Sequence, residues 1–391
     1  MTEIRPFQIA YSQEAWDDLR DRLARARWPE KETVDDWSQG LPLRVARDMC
    51  DYWLHEYDWR ARQDRLNSFA QFTTDADGLE IHFVHVRSSH PDATPLLLTH
   101  GWPGSFVEFL KLVGLLTEPE THGAPNAPAF HVVIPSLPGY AFSGKPTETG
   151  WGVDRIARAW AELMDRLDYE TFGAAGSDWG TSVSASLGRQ FPDRVIGLHL
   201  IPPLVAPDRT TLDSLTAFEQ QALDDLERAN ATGSGYSAMH SHQPQTIGYA
   251  LVDSPVALCT WMLEKFWAWT DNGGDLHSVI SRDEFLDNVM TYWMTGSGAS
   301  SARLYWESFP DIWAIFNTDV VDRIEVPVGA SIFPAENPRP SRRWAERRFT
   351  DIRQWHELER GGHFASFEQP QVVVAELREF FGGLGAPASG R

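Results

Sequence analysis

Apolar positions open the chain at helical spacing: Trp16, Leu19 and Leu23 share one face over residues 12–28, and Pro29 ends the run. A more polar helical stretch reaches about residue 70, interrupted at Pro42. The period then changes. Leu79–Arg87 and Pro95–His100 read as two successive strands, the second a continuous apolar run of the kind buried on both faces. The spacing next predicts a helix over 106–116, a strand over Phe130–Ile134, and a helix over 153–167 with Ile156, Trp160, Leu163, Met164 and Leu167 on one face. Strand Phe172–Ser177, helix Thr181–Gln190 and strand Val195–Ile201 continue the rhythm. Strands that alternate with helices predict a mostly parallel, doubly wound sheet.

Near Pro202 the alternation fails. Residues 204–317 are rich in helix formers and Trp and show no strand pattern, whereas Val326–Phe333, Ile352–Leu358 and a helix over 370–381 restore the rhythm. The expected organisation is an N-terminal helical wrap (1–75), a first core part (76–203), a helical lid (204–317) and a second core part (318–391). A helical insertion at this point belongs above the carboxyl ends of the strands, where such sheets bind ligands. The Gly/Pro/Ala/Ser tail from residue 382 is expected to fray.

Three short patterns fall at the junctions that matter. Gly176-Ser177-Asp178-Trp179-Gly180 follows a strand and precedes a helix, as a nucleophile elbow does, with small residues on both sides of a sharp turn. Alone, it could be an ordinary turn with Asp178 capping the next helix. His100-Gly101-Trp102-Pro103-Gly104-Ser105 follows a buried strand, where the amides of Trp102 and Trp179 could converge on one negative oxygen. Its bland reading is a Gly/Pro loop. Gly361-Gly362-His363-Phe364 puts a histidine, otherwise a solvent-facing loop residue, after the last strand. Glu336 closes strand 326–333 and suits the acid that orients His363, with Asp208 the alternative. Nucleophile, acid and base then occur in the order of an α/β-hydrolase fold with a helical lid.

An aspartate in the elbow changes the chemistry. Serine attacking a saturated carbon would leave an ether, whereas a carboxylate leaves an ester that activated water can hydrolyse. Epoxides and alkyl halides are the matching electrophiles. Opening an epoxide also needs a proton donor, and the lid offers Tyr236, Tyr249, Tyr292 and Tyr305. Spacing does not choose among them.

The net charge of −21, without a long Lys/Arg cluster, disfavours nucleic acid and anionic membranes and points to a small, neutral, apolar substrate. Cys50 and Cys259 form no CxxC pattern, so neither a disulfide framework nor a structural metal is expected, and a reducing cytoplasm fits. The N-terminus carries no apolar run of signal or membrane-spanning length. No cofactor is implied. A homodimer is left open.

These junction patterns, with Asp253-Ser254-Pro255 and Leu263-Glu264-Lys265-Phe266 in the lid, resemble the microsomal-type epoxide hydrolases. Ile4-Arg5-Pro6-Phe7 and Arg25-Ala26-Arg27-Trp28-Pro29-Glu30 are similar to that family's N-terminal segment, and the resemblance covers nearly the whole chain. It departs from the membrane-bound members in lacking their N-terminal anchor helix. The resemblance implies Glu336, in Phe333-Pro334-Ala335-Glu336, as the acid, and Tyr236 and Tyr305 as the donors. Tyr236 follows Gly235 and precedes Pro244 by eight residues; Tyr305 ends a Ser-x-Arg-x-Tyr stretch. The rival readings are a haloalkane dehalogenase, with the Trp179 indole N–H cradling halide, and a non-catalytic binding protein of the same fold.

Overall fold

The computed structural model describes residues 3–317 and 322–384. Among these residues nine strands form one sheet: β1 (Arg5–Phe7), β2 (Gln71–Ala76), β3 (Leu79–Val86), β4 (Thr94–Thr99), β5 (Phe130–Pro135), β6 (Phe172–Ser177), β7 (Val195–Ile201), β8 (Val328–Ile332) and β9 (Ile352–Glu357). Their spatial order is β1-β2-β3-β5-β4-β6-β7-β8-β9. From β5 to β9 every pairing is parallel. The β1–β2, β2–β3 and β3–β5 pairings are antiparallel.

This corrects one expectation. The leading segment is not only helical, because β1 and β2 lie within or across its end and build one edge of the sheet. The strands expected over 79–87 and 95–100 are β3 and β4, and β5 lies between them in the sheet. β2 escaped the pattern because Gln71, Thr73 and Thr74 are polar yet buried. His82 Nε2 of β3 lies 3.0 Å from Gln71 Oε1, one contact that makes such burial tolerable.

β4, β5 and β6 are buried along almost their full length, as strands covered on both faces must be. Helix Val153–Arg166 turns Val153, Ile156, Trp160, Leu163 and Met164 inward, and the Trp160 indole N–H donates to Thr99 Oγ1 at the end of β4 (3.1 Å). The last helix, Pro370–Gly383, carries Gly382 and Gly383 in regular structure rather than in a frayed tail; residues 385–391 lie outside the described part.

Between β7 and β8 the described chain is helical, chiefly Ala217–Thr232, Gly235–His242, Pro244–Asp253, Pro255–Trp269, Arg282–Trp293 and Gly298–Asn317. Helix Arg282–Trp293 fastens these helices to the sheet side: Asn288 Nδ2 donates to the Pro103 carbonyl (2.7 Å) and the Tyr292 hydroxyl to that of Gly104 (2.5 Å). The N-terminal segment grips the same helix. Tyr57 donates to buried Asp287 (2.9 Å), and Arg62 forks onto its carboxylate. Among the described residues, no single helix is long and apolar enough to cross a membrane.

Candidate active site

β6 ends at Ser177, and helix Trp179–Gln190 starts two residues later. Asp178 takes the whole reversal at φ 51° and ψ −123°, a conformation that costs free energy and persists only where its surroundings enforce it. The flanking glycines are steric necessities. A Cβ on Gly176 would lie 2.3 Å from the Gly180 carbonyl, and one on Gly180 would lie 1.8 Å from the Thr99 oxygen. One on Gly101 would meet Asp178 Oδ1 at 2.0 Å.

The Asp178 carboxylate divides its oxygens. Oδ1 accepts from the Trp102 amide (2.8 Å), and the carboxylate also accepts from the Trp179 amide. Oδ2 faces His363 Nε2 at 3.6 Å. The other imidazole nitrogen, Nδ1, lies 3.0 and 3.1 Å from the two oxygens of Glu336, which is 4% exposed. The His363 amide donates to the Trp269 carbonyl (2.8 Å), and Gly361, at φ 109°, turns the chain into this position.

Burial pulls the His363 pKa down, but the Glu336, Asp178 and Glu108 carboxylates outweigh it and lift it to about 9. Asp178 is raised by burial, against the opposing pull of His363 and the two amides. Glu108 lies beneath the elbow and accepts from Ser177 Oγ (2.7 Å); burial pushes it up to about 8, so it is protonated at neutral pH.

A cavity of about 190 Å³ is lined by Asp178, Trp179, Tyr236, Tyr305, Phe309 and His363, among others. A larger one of about 550 Å³ adjoins it, sharing Leu204, Tyr236, Phe309 and Ile312. Tyr236 and Tyr305 share a hydrogen bond, and burial pushes both phenols well above their ordinary pKa. Tyr236 stacks on Trp102 (5.1 Å, 11°), and Tyr305 meets Trp179 edge-on (4.9 Å, 85°). The Trp179 indole N–H is buried and has no hydrogen-bond partner among the described residues.

The sequence candidates therefore separate. Asp178, Trp102, Trp179, Glu336, His363, Tyr236 and Tyr305 come together. Asp208 instead caps the turn Arg209–Ser214 through Thr210 and lies 3.5 Å from Arg347. Tyr249 is 70% exposed, and Tyr292 spends its hydroxyl on Gly104. Sequence reasoning missed Glu108. Its Ser105-x-x-Glu spacing reads as a helix-capping pair, yet the carboxyl turns inward to Ser177. It also gave no role to Lys265, described below.

A parallel sheet, a sharp aspartate-bearing turn between strand and helix, and a histidine–glutamate pair after the last two strands define an enzyme of the α/β-hydrolase class. Comparison with known proteins narrows this. Residues 4–109 match the family model described as epoxide hydrolase N terminus, and residues 94–293 match that for the alpha/beta hydrolase fold. A Stigmatella aurantiaca protein, provisionally named an epoxide hydrolase, is 49% identical over 98% of this chain and 86% of its own. Epoxide hydrolase 1 of Oryctolagus cuniculus is 34% identical over 97% of this chain and 89% of its own. The solved structure of Aspergillus niger epoxide hydrolase superposes with a TM-score of 0.87 at 32% identity, covering 98% of this chain and 97% of that one. The chain belongs to the epoxide hydrolase family.

Proposed function

We propose that this enzyme converts small apolar epoxides to vicinal diols through a covalent ester on Asp178. The observation that carries the reading is the division of the Asp178 carboxylate. Oδ1 rests on the Trp102 amide, the carboxylate also accepts from the Trp179 amide, Oδ2 is turned toward His363, and two phenols line the same cavity. In the first half-reaction Oδ2 attacks a ring carbon, the carbon–oxygen bond breaks, and the freed oxygen takes a proton from Tyr236 or Tyr305. The phenols suit this task because burial keeps them protonated.

Ester formation then changes the electrostatics. Asp178 helps hold the proton on His363 while it is a carboxylate, and as a neutral ester it no longer does. The proton balance closes: the phenolate left by ring opening takes one up, and the imidazolium gives one up. Neutral His363, oriented by Glu336, can then draw a proton from water attacking the ester carbonyl. The carbonyl oxygen, formerly Oδ1, keeps the Trp102 amide as it becomes negative, and the Trp179 amide adjoins the same carboxyl group. Collapse releases the diol and restores the carboxylate with one oxygen from water.

A single turnover in heavy-oxygen water with enzyme in excess tests this directly. The diol should be mostly unlabelled and the label should enter the peptide containing Asp178. Fully labelled diol from the first turnover, with Asp178 unlabelled, would overturn the covalent reading. One observation favours alkyl halides as a second substrate class: the unpartnered Trp179 indole N–H in the cavity wall could receive a departing anion. Halide release from a short alkyl bromide would support it; none would dismiss it.

A further inference from the structure

Lys265 is an unusual charge to bury. Its side chain is 6% exposed on helix Pro255–Trp269, in the wall behind the phenols. Nζ donates to the Gly233 carbonyl (3.2 Å) and pairs with Glu264 (2.7 Å). It also lies over two rings, 4.6 Å from the centroid of Tyr236 and 5.6 Å from that of Trp269. Trp102 already stacks on Tyr236, so the phenol ring meets both an indole and an ammonium. Burying an ammonium costs several kcal/mol in general. Closing the helix end at Gly233 would not require it to sit on a phenol that lines the Asp178 cavity.

We propose that Lys265 is a positioning residue for ring opening: its ammonium supports the negative charge that Tyr236 acquires while passing its proton to the epoxide oxygen. The attraction of a cation to a ring face grows as the ring becomes more negative, and it is strongest where water is excluded. The interaction is thus stronger in the transition state than in the ground state, the condition for accelerating a step. The Glu264 carboxylate opposes this effect, but its side chain is 29% exposed and so is better screened than the ammonium. Lys265 should act on ester formation and leave ester hydrolysis alone.

The inference rests on the phenol-donor role proposed above. The test is single-turnover kinetics on the full chain with Lys265→Met and Lys265→Arg, using styrene oxide and 3,3,3-trifluoro-1,2-epoxypropane, whose alkoxide is less basic. Lys265→Met should form the ester about 10–30-fold more slowly with styrene oxide. The deficit should shrink with the trifluoromethyl epoxide, hydrolysis of the ester should be unchanged, and Lys265→Arg should recover most of the rate. Glu264→Gln, which keeps the ammonium and removes its opponent, should form the ester at or above the wild-type rate and carries the test should Lys265→Met fail to fold. Wild-type ester formation in Lys265→Met, equal loss in both half-reactions, or slowing by Glu264→Gln overturns the inference. A wild-type enzyme that forms no ester overturns the covalent reading, and this inference with it.

Discussion

The two walls of the cavity are built by opposite means. The sheet wall carries Asp178, Trp102, Glu336 and His363 on turns at the carboxyl ends of β6, β4, β8 and β9, and short backbone contacts fix each turn. The opposite wall carries Tyr236 and Tyr305 on helices Gly235–His242 and Gly298–Asn317, far apart in sequence. Those rings are held mainly by other rings, Trp102, Trp179, His240 and Trp269. Under the proposed mechanism, bonds to carbon and water fall to backbone-locked groups, and proton donation to groups held by packing. A wall held by packing can adapt to a new epoxide without disturbing the proposed nucleophile.

If this division is right, the largest effect belongs to the sheet wall. Asp178→Asn should fold normally and lose diol formation by on the order of 10⁴-fold or more, because the amide is a poor nucleophile in an otherwise intact cradle. Chiral chromatography of the diol, with intact mass to detect reversion by deamidation, measures it. A fresh variant with near wild-type turnover would remove the nucleophile from this wall altogether.

His363→Gln should rank next, with a different signature. Alkylation needs Asp178 and the phenols, whereas hydrolysis needs the base, whose effect is typically ~10²–10⁴-fold. The ester should therefore accumulate as a stable mass adduct on the Asp178 peptide. A variant slow in forming the adduct would mean that the base also serves the first half-reaction, blurring the two walls.

The same contrast explains what was legible in the sequence. The elbow and the oxyanion loop are local: Gly176, Gly180 and Gly101 are demanded by contacts of 1.8–2.3 Å, so the motif and the geometry are one fact. The tyrosines are not local. Tyr236, Tyr249, Tyr292 and Tyr305 look alike until helix packing exposes Tyr249 and commits Tyr292 to Gly104. Only family resemblance separated them. β1 was beyond pattern reading at three residues, and β2 carries buried polar side chains where alternation would place apolar ones. Glu108 and Lys265 were illegible for a related reason: a charge is read as surface until the fold buries it.

The packed wall should yield smaller and more divided effects. Tyr236→Phe and Tyr305→Phe should each slow ester formation by about 10–10²-fold and leave ester hydrolysis unchanged, and the double variant should be nearly inert toward epoxides. Rapid-quench measurement of the adduct separates the steps. Because the two hydroxyls bond to each other, the double-variant loss should differ from the product of the single losses. Two single variants that alkylate at the wild-type rate would break the assignment of proton donation to this wall.

The smallest effect on turnover, and the sharpest on pH, concerns the residue beneath the sheet wall. Glu108 ordinarily ionises near 4.5, as in the unfolded chain, whereas burial raises it to about 8 in the fold. Between those values the folded protein keeps a proton that the unfolded one releases. Stability therefore falls as pH rises through this window and levels off above pH 8. Ser177 Oγ can donate to the amide oxygen of Gln as it does to Glu108 Oε1, so Glu108→Gln should preserve the elbow and remove the titration. At pH 4.5 the two proteins should be about equally stable. The variant's advantage should then grow by up to about 1.4 kcal/mol per pH unit as the wild type loses ground. Turnover at neutral pH should change little, because a protonated Glu108 contributes no charge to His363. Above pH 8, where Glu108 ionises and adds to the negative field that holds the His363 proton, the rise of ester hydrolysis with pH as His363 loses that proton should lie at lower pH in the variant. Urea melts across pH 5–9 measure the first expectation, and single-turnover profiles the second. Parallel stability curves for the two proteins would mean that Glu108 is ionised in the fold at neutral pH, and the sheet wall would then carry one more negative charge beneath its nucleophile.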